Sequence, residues 1–326
     1  MFKYDVLCIG SATVDSFLTI EQPLQEVKLG DKVLVNSVEK HSGGGATNSA
    51  AALSKLGLSV KILTKMGGDH DADFIIKELK EYKIKNICQH HSIKNTDSGT
   101  IISSVKEKDR IIYVHKGASL DLSSDDFKKS QLNTKWIYLA SLMGKSFQTT
   151  KKIISYAEKK KVKILFNASS YLAKKGKNYL KSILKATSIL VLNKEEAQAL
   201  LKSSSNNSSQ LLRSLHQFGP ETVVITNGNK ALYALHDNVV YSLIPPKVKI
   251  VHTAGAGDAF TAGLLAGIIK NYSFENALRL GQVNSSSVIQ HIGTKNKLLT
   301  EREAQQLIKR YNIKVTKNIK VKKMRT

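Results

Sequence analysis

The sequence alternates short apolar runs with amphipathic segments over most of its length, and this alternation limits the folds it can adopt. In residues 71–84, Phe74, Ile75, Leu79 and Ile84 recur at helical intervals. Predicted strands occupy residues 5–10, 60–67, 135–142, 163–169, 188–193, 222–228, 230–244 and 248–253, and two strongly patterned helices follow at residues 258–270 and 274–291. Strands that alternate with helices predict a mostly parallel sheet covered on both faces, so we expect a doubly wound α/β fold.

Two β-rich segments, Lys32–Ser42 and Ser98–Gly117, interrupt this alternation. The second is predicted to be a hairpin with the sequence KEKD (106–109) as its turn. We expect the two segments to form a small β-sheet lid over the main sheet. The predicted boundaries are 19–41 and 97–116 for the lid, and 1–18, 42–96 and 117–326 for the main α/β domain. Because the exposed face of such a sheet can pair with another copy, a homodimer through the lid is a further expectation.

The formal net charge of +24 raises nucleic acid as a partner. However, 44 of the 50 basic residues are lysines, spread along the chain, and lysine lacks the planar fork with which arginine reads bases and clamps phosphates. We therefore expect no nucleic-acid partner, although a positive field would attract anionic nucleotides. The one dense basic segment, residues 312–326, is expected to fray or to contact an acidic surface.

The sequence also argues against a membrane or secreted location. No apolar run approaches the roughly 18 residues of a membrane helix. The first residues lack the basic region of a secretory signal. Cys8 and Cys88 form no CxxC pair and lie in apolar contexts, which is typical of reduced, buried thiols. We expect a cytoplasmic protein.

Within residues 251–268, a glycine-rich turn, AGAG (254–257), precedes a lone aspartate and an apolar helix. Gly255 and Gly257 allow a tight turn, and the N–H groups at the start of the following helix would favour an anion. Asp258 lies at this position. A carboxylate beside an anion site suits phosphoryl transfer, in which the carboxylate accepts a proton from the attacking hydroxyl. The alternative is that Asp258 only caps a helix. A dinucleotide fingerprint is disfavoured because Phe260 stands where it needs glycine.

Four motifs together resemble one family. They are SGGGATNSAAALSKLG (42–57), VLNKEEAQAL (191–200), VVITNGNKA (223–231) and HTAGAGDAFTAG (252–263). In this order they are similar to the motifs of the ribokinase-like (PfkB) family of sugar and nucleoside kinases, and they cover nearly the whole chain. The resemblance implies transfer of the γ-phosphoryl group of ATP to a hydroxyl of a sugar or nucleoside.

The resemblance also implies roles for individual residues. Asp258 would be the general base, and the amides of Gly255, Ala256 and Gly257 would form the anion hole. The acceptor would be held by Asp15, Gly44, Gly45 and Asn48. Mg²⁺ would be held by Asn193 and Glu196, and the nucleotide by Thr226, Gly228, Asn193 and Gln282. Each of these residues also fits a purely structural role, such as the helix cap and acidic first turn formed by Asn193 and Glu196.

Three departures from the family pattern limit what the resemblance implies. His252 replaces the first aspartate of the usual D-T-x-G-A-G-D, so a monovalent cation at that loop is not carried over. Gly45 stands where ribokinases have lysine, so specificity for ribose alone is not implied. Gln282 stands where an adenine-side asparagine or histidine is frequent.

The acceptor itself stays open at this point. His115 or Lys116 at the end of the lid hairpin could neutralise a phosphate on a phosphosugar, and Phe17 and Tyr113 could form a slot for a nucleoside base. A free sugar or nucleoside is favoured, because Arg110 is the one arginine near these motifs. The alternatives are a phosphosugar kinase and a non-catalytic protein that binds a small molecule or nucleic acid.

Overall fold

The computed structural model describes residues 3–106 and 110–318. Within them, the larger sheet has ten strands in the order β14-β13-β12-β11-β10-β9-β8-β1-β4-β5. The strands are β1 (Val6–Ile9), β4 (Val60–Leu63), β5 (Lys85–Asn86), β8 (Trp136–Leu139), β9 (Lys163–Asn167), β10 (Ile189–Asn193), β11 (Thr222–Thr226), β12 (Leu232–His236), β13 (Val239–Leu243) and β14 (Val315–Asn318). The seven strands from β5 to β11 along this order are parallel, and β12, β13 and β14 add an antiparallel edge.

Helices cover both faces of this sheet. They are α1 (Gly45–Lys55), α2 (His70–Glu81), α3 (Gly144–Lys159), α4 (Ser170–Ala173), α5 (Lys177–Ala186), α6 (Lys194–Leu201), α7 (Ser208–His216), α8 (Ala256–Ile269), α9 (Phe274–Val288) and α10 (Glu301–Tyr311). Strand β1 shows why two apolar layers form: Val6 and Cys8 pack with α1, α8 and α9, whereas Leu7 and Ile9 pack with α3 and α5. Alternate side chains of a strand point to opposite faces of the sheet, so a fully apolar strand is buried on both faces. The predicted fold class is confirmed.

Helices α8 and α9 pack closely beneath the site described below. A Cβ on Gly263 would lie 2.7 Å from the Cα of Gly281, and a Cβ on Gly267 would lie 2.7 Å from the Cα of Ala277. Small residues at these positions therefore permit the two backbones to approach. Helix α8 is apolar on nearly all sides, since it is enclosed by α1, α9 and the sheet.

The smaller sheet has the order β3-β2-β6-β7, with β2 (Thr13–Ile20), β3 (Val35–Gly43), β6 (Asp97–Ser104) and β7 (Arg110–His115). Strands β2 and β6 are parallel, and the two outer pairs are antiparallel. Most of the predicted KEKD turn, residues 107–109, lies outside the described residues. We call this sheet the lid sheet. The predicted division at residues 19–41 and 97–116 stays a prediction, because sheet membership alone does not show which part moves.

Two local predictions differ from the structure. Residues 230–244, predicted as one strand, form the antiparallel hairpin of β12 and β13, and its turn contains Asp237 and Asn238 at positive φ. Residues 248–253 form no strand: the N–H groups of Val251 and His252 donate to the carbonyl of Ile289, at 2.8 and 3.2 Å. The strand that pairs with the edge of β13 is β14 instead. The start of the basic segment forms β14, where Lys317 pairs with Glu275, while residues 319–326 lie outside the described residues. No helix in the described part of the chain has both the length and the hydrophobicity needed to cross a membrane.

Candidate active site

The glycine-rich turn leads directly into α8. Gly255 has φ +78°, and a Cβ there would lie 2.7 Å from the carbonyl oxygen of Thr294, so only glycine fits. Gly257 lies inside the first helical turn, with open space where a Cβ would stand. The expectation that both glycines serve the backbone conformation is therefore wrong for Gly257, which instead leaves room at the mouth of the helix. The first N–H groups of α8 have no acceptors within the helix, and the N–H of Ala256 donates to the carbonyl of Thr253 at 3.4 Å, just before the turn.

Asp258 lies in the first turn of α8, and its carboxylate contacts α1. The side-chain amide of Asn48 donates to Oδ2 of Asp258 at 2.8 Å. Burial raises the pKa of Asp258 from 3.8 to about 6, while the hydrogen bond from Asn48 and the charge of Lys295 act in the opposite direction. The carboxylate is therefore ionised at neutral pH but is a stronger base than an exposed aspartate.

Three adjoining cavities follow the carboxyl ends of the parallel strands. The Lys116 cavity, about 200 Å³, is lined by residues that include Ser11, Gly45, Lys116, Asn167, Ser169 and Asp258. The Glu196 cavity, about 160 Å³, includes Asn193, Glu196, Thr226, Gly257 and Asp258. The Gln282 cavity, about 110 Å³, includes Thr226, Gly228, Ala256, Gly257 and Gln282. Asp258 borders the first two cavities, and Gly257 borders the last two, so the three form one groove with the carboxylate and the glycine turn near its middle.

The Lys116 cavity is polar but nearly uncharged on the lid side. The ammonium of Lys116 lies 3.1 Å from Oδ2 of Asp97, which is fully buried. Asp97 also accepts hydrogen bonds from the backbone N–H groups of Gly117 and Ser119. Hydroxyl and amide groups supply most of the remaining polar lining, and Leu142, Met143 and Tyr171 supply an apolar side.

Asp15 lies on β2 between two glycines of the neighbouring strands. A Cβ on Gly43 would lie 2.2 Å from one carboxylate oxygen, and a Cβ on Gly99 would lie 2.4 Å from the other. Burial raises the pKa of Asp15, and the nearby charges of Lys295 and Lys116 lower it. The carboxylate thus stands beside the glycine-rich start of α1.

Gly44 and Gly45 bring the start of α1 close to the site. Gly44 has φ +97°, and a Cβ there would lie 2.4 Å from the carbonyl oxygen of Ser11. Gly45 borders the Lys116 cavity, and a Cβ there would lie 3.9 Å from Oδ1 of Asp258. The structure therefore brings both predicted glycines next to the first strand and Asp258.

Asn193 and Glu196 form the helix cap that the sequence also allowed. Oδ1 of Asn193 accepts from the N–H of Glu196 at 2.8 Å, and Oε2 of Glu196 accepts from the N–H of Asn193 at 2.9 Å. Both residues nevertheless border the cavity that contains Asp258. The pKa of Glu196 is raised to about 7, mainly by burial and also by the charges of Glu195 and Asp258, while the hydrogen bond from the N–H of Asn193 opposes this shift. A cation between the carboxylates of Glu196 and Asp258 would offset the free-energy cost of ionising Glu196.

Thr226, Gly228 and Gln282, predicted to contact the nucleotide, border the same cavity. Gly228 has φ +55° at the turn after β11, where its conformation favours glycine. Gln282 is buried on α9, and its amide donates to the hydroxyl of Ser286 at 3.1 Å. Residues far apart in the chain thus meet at one end of the groove.

His252, which replaces the first aspartate of the family motif, is neutral and has a ring N–H that can donate a hydrogen bond. Its Nδ1 accepts from the N–H of Ala254 at 3.1 Å, so the ring proton is on Nε2. Nε2 is buried and has no hydrogen-bond partner among the described residues. Burial lowers the pKa of His252 to about 4, with Arg110 and His41 adding to the effect. The ring packs edge-on against Phe17 of the lid sheet, with centroids 5.0 Å apart.

Several residues of the site are not identified by any of the sequence patterns described above. Thr294 donates to Oδ1 of Asn48 at 2.8 Å, and Lys295 is buried beside Ser42 and Glu78. Asn167 borders two of the three cavities. Thr294 and Lys295 lie more than 30 residues beyond the glycine turn, in a loop without a recognisable pattern, so only the tertiary structure identifies them.

Comparisons with known proteins agree on one family. A family model described as pfkB family carbohydrate kinase matches residues 3–301. An ATP-dependent 6-phosphofructokinase of Thermoanaerobacterium thermosaccharolyticum is 25% identical over 300 residues, covering 89% of this chain and 89% of that protein. A ribokinase of Staphylococcus aureus is 26% identical over 313 residues, covering 93% and 99%. The structure of a putative ribokinase II from E. coli in complex with ATP and Mg²⁺ has a TM-score of 0.80 at 17% identity, covering 94% and 99%, and shares the fold.

Proposed function

Because the chain belongs to the pfkB family of carbohydrate kinases and is an ATP-dependent phosphotransferase, we propose that it transfers the γ-phosphoryl group of ATP to a hydroxyl of an uncharged sugar or nucleoside. The observation that carries this proposal is the position of Asp258, which borders both the Lys116 cavity and the Glu196 cavity under the Gly255 turn. An acceptor in the first cavity and a terminal phosphate in the second would meet at this carboxylate.

Asp258 acts as the general base in this proposal. It takes the proton of the acceptor hydroxyl while the oxygen attacks the terminal phosphorus, and a pKa of about 6 matches this task near neutral pH. Its Oδ2 is held by Asn48 at 2.8 Å, and Oδ1 lies toward Gly45, which borders the acceptor cavity. The carboxylate is therefore oriented before the acceptor arrives.

The amides of Gly255, Ala256 and Gly257 form the anion hole. They lie at the N-terminus of α8, where the helix favours negative charge. The N–H of Ala256 donates to the carbonyl of Thr253 at 3.4 Å, and a bound phosphate would replace this long contact. Charge that accumulates on the transferred phosphoryl oxygens would be stabilised there. The open space at Gly257 supports this role, since a side chain would fill the approach.

Asn193 and Glu196 fit a magnesium site bound through water. Each accepts one backbone hydrogen bond in the helix cap, and both side chains border the cavity that contains Asp258. Amide and carboxylate oxygens suit Mg²⁺, which keeps most of its hydration shell. The ion would neutralise phosphate charge. The nucleotide would then extend toward Thr226, Gly228 and Gln282.

An uncharged acceptor is favoured over a phosphosugar. Lys116, the basic residue of the acceptor cavity, is already neutralised by the buried Asp97. A second phosphate in this cavity would need an unpaired cation. The hydroxyl and amide lining suits a polyhydroxylated sugar, and the apolar side formed by Leu142, Met143 and Tyr171 keeps a nucleoside as a second candidate.

The residues at the glycine turn do not fit a monovalent cation held through His252. The side chain presents a protonated nitrogen, and a cation needs a lone pair. We propose that the reaction does not depend on such a cation.

The outer face of the lid sheet supports a homodimer. Strand register places Val38, Leu18, Ile102 and Ile111 side by side in one row across all four strands. Val38 is 60% exposed and Ile111 is 41% exposed. An exposed apolar row of this kind is typical of an interface, and we propose that a second copy covers it.

Measurement of acceptor-dependent ADP release tests the function. Ribose, fructose, adenosine, guanosine and their phosphates would each be assayed as the acceptor, once with the wild type and once with Asp258→Asn. We expect turnover with one class of uncharged acceptor and a loss of roughly 10²- to 10⁴-fold in kcat for the variant. Asp125→Asn, on the surface, serves as the control. Thermal shifts on ligand addition without any turnover by the wild type would instead support the non-catalytic binding protein.

A further inference from the structure

The two ends of the Asn48 side-chain amide face different partners. Its nitrogen donates to Oδ2 of Asp258, and its oxygen lies 2.8 Å from the hydroxyl oxygen of Thr294. Asn48 and Thr294 are both 5% exposed, so water does not readily replace either contact. Rotation of the amide by half a turn would place its oxygen against the ionised carboxylate, where two acceptors repel.

The proton of Thr294 is the second contact that fixes which way the amide points. A threonine hydroxyl has one proton, and two acceptors are in range: Oδ1 of Asn48 at 2.8 Å and the carbonyl of Ser42 at 3.0 Å. When the proton goes to Asn48, the amide oxygen is fixed and the amide nitrogen must face Asp258. The orientation of the base therefore depends on the carbonyl of Ser42 being satisfied by another donor.

Lys295, the next residue in the chain, supplies that donor. Its ammonium is buried and donates to the carbonyl of Ser42 at 2.7 Å, to the Ser42 hydroxyl and to Glu78 at 3.1 Å. These three acceptors use the three ammonium protons. The pair formed by Thr294 and Lys295 thus satisfies both the start of α1 and the amide of Asn48.

Thr294 also contacts the turn that precedes α8. Its carbonyl oxygen and Cβ would lie 2.7 and 2.8 Å from a Cβ on Gly255. The same residue therefore packs against the anion-hole turn and hydrogen bonds to the partner of Asp258.

We propose that Thr294 is a positioning residue for phosphoryl transfer, whose hydroxyl fixes the Asn48 amide and thereby the Asp258 carboxylate. This role rests on the proposed function of Asp258 as the base. Besides Asn48, the titratable and charged groups near Asp258 are Lys295, Glu196, Cys8, Tyr138 and, across the Lys116 cavity, Lys116, and a substitution at Thr294 removes none of them.

Thr294→Val tests the proposal, because valine keeps the branched shape that packs on Gly255 and removes only the hydroxyl. We expect kcat to fall roughly tenfold, with the KM for ATP within about twofold of wild type. We also expect the acid limb of the kcat profile to move to higher pH, since the hydrogen bond that favours the ionised carboxylate is no longer held. A merely structural role of Thr294 would leave this limb in place.

Thr294→Ser, which keeps the hydroxyl, should retain most of kcat. Thr187→Val is the matched control: Thr187 is 2% exposed, donates to a carbonyl of its own helix at 2.7 Å and lines none of the three cavities. If valine does not fold at position 294, Thr294→Ala is measured in the same way.

A Thr294→Val enzyme with kcat within twofold of wild type and an unmoved acid limb would overturn the proposal. A Thr294→Ser enzyme as impaired as the valine variant would overturn it as well. The proposed function fails separately, when Asp258→Asn retains the turnover of the wild type.

Discussion

Replacing Asp258 by asparagine should stabilise the protein while removing its activity. Burial raises the pKa of this carboxyl from 3.8 to about 6, so the folded protein binds its proton more tightly than the unfolded chain does. Folding is therefore favoured at low pH, and this advantage is lost as pH rises from about 4 to about 6. Since each pKa unit corresponds to about 1.4 kcal/mol, the ionised carboxylate costs about 3 kcal/mol of unfolding free energy above pH 6.

The gain from Asp258→Asn should consequently depend on pH. Asparagine carries no charge but still offers an oxygen to the Asn48 amide, which donates at 2.8 Å in the wild type. We expect the variant to be more stable by about 3 kcal/mol at pH 7.5 and by about half of this at pH 5. Removal of the charge also relieves Glu196, whose pKa is raised partly by Asp258, and this adds to the gain.

Urea unfolding, followed by the fluorescence of the single tryptophan, measures both values. Trp136 lies on β8 and is 7% exposed, so its emission reports loss of the core. Asp121→Asn is the control, because hydrogen bonding to Lys94 lowers the pKa of Asp121. Its stabilising contribution is present above pH 3.8 and lost only as pH falls below that value, so the effect of its removal should be the same at pH 5 and 7.5. An Asp258→Asn variant that is no more stable than wild type at pH 7.5, or equally stabilised at both pH values, would refute the reasoning.

Three further predictions concern the wild-type enzyme and its assembly. The acid limb of kcat/KM should lie near pH 6, because Asp258 must be deprotonated to accept a proton and its pKa is raised to about 6; a limb below pH 5 in the pH–rate profile would contradict this. Replacing K⁺ by Na⁺ or by a large organic cation in the ADP-release assay should leave kcat within about twofold, since His252 presents a proton instead of a lone pair; activation by K⁺ of more than about tenfold would show that the turn holds a cation by other groups. Ile111→Asp should convert the proposed dimer to a monomer in sedimentation velocity, whereas Ile244→Asp, at an exposed residue of the main domain, should not; a monomeric wild type would exclude the lid interface.

The alternation of strands and helices could be predicted because it depends on local periodicity. The apolar runs that became β1, β4, β8, β9 and β10 are buried on both faces, and such runs are visible without knowledge of their neighbours. Residues 248–253 have a similar apolar pattern but form no strand, and it is β14, from the end of the described chain, that pairs with β13. The sequence of one segment alone does not determine which distant segment it pairs with.

The site residues show the same difference between local sequence signals and contacts made over long distances in the chain. The short-range signals at Gly255–Asp258 and at Asn193–Glu196 marked turns and helix starts, and the structure places both beside one groove. The sequence suggested that Asn48 would read an acceptor hydroxyl, whereas its nitrogen contacts Asp258, 210 residues away. Thr294 and Lys295 gave no signal, since their importance depends on which buried donors and acceptors meet in space.

The value of about 6 for the Asp258 pKa reflects a balance between groups that only the tertiary structure brings together. Burial alone would raise the pKa further and leave more of the carboxylate protonated at neutral pH, where it could not accept a proton. The amide of Asn48 and the buried ammonium of Lys295 oppose this shift, so the group stays mostly ionised at pH 7. Without burial, the carboxylate would be ionised but about two units less basic, and a weaker base draws less strongly on the acceptor proton. The buried polar contacts around α1 and the loop at Thr294 therefore act on the chemistry of Asp258, in addition to holding two segments of the fold together.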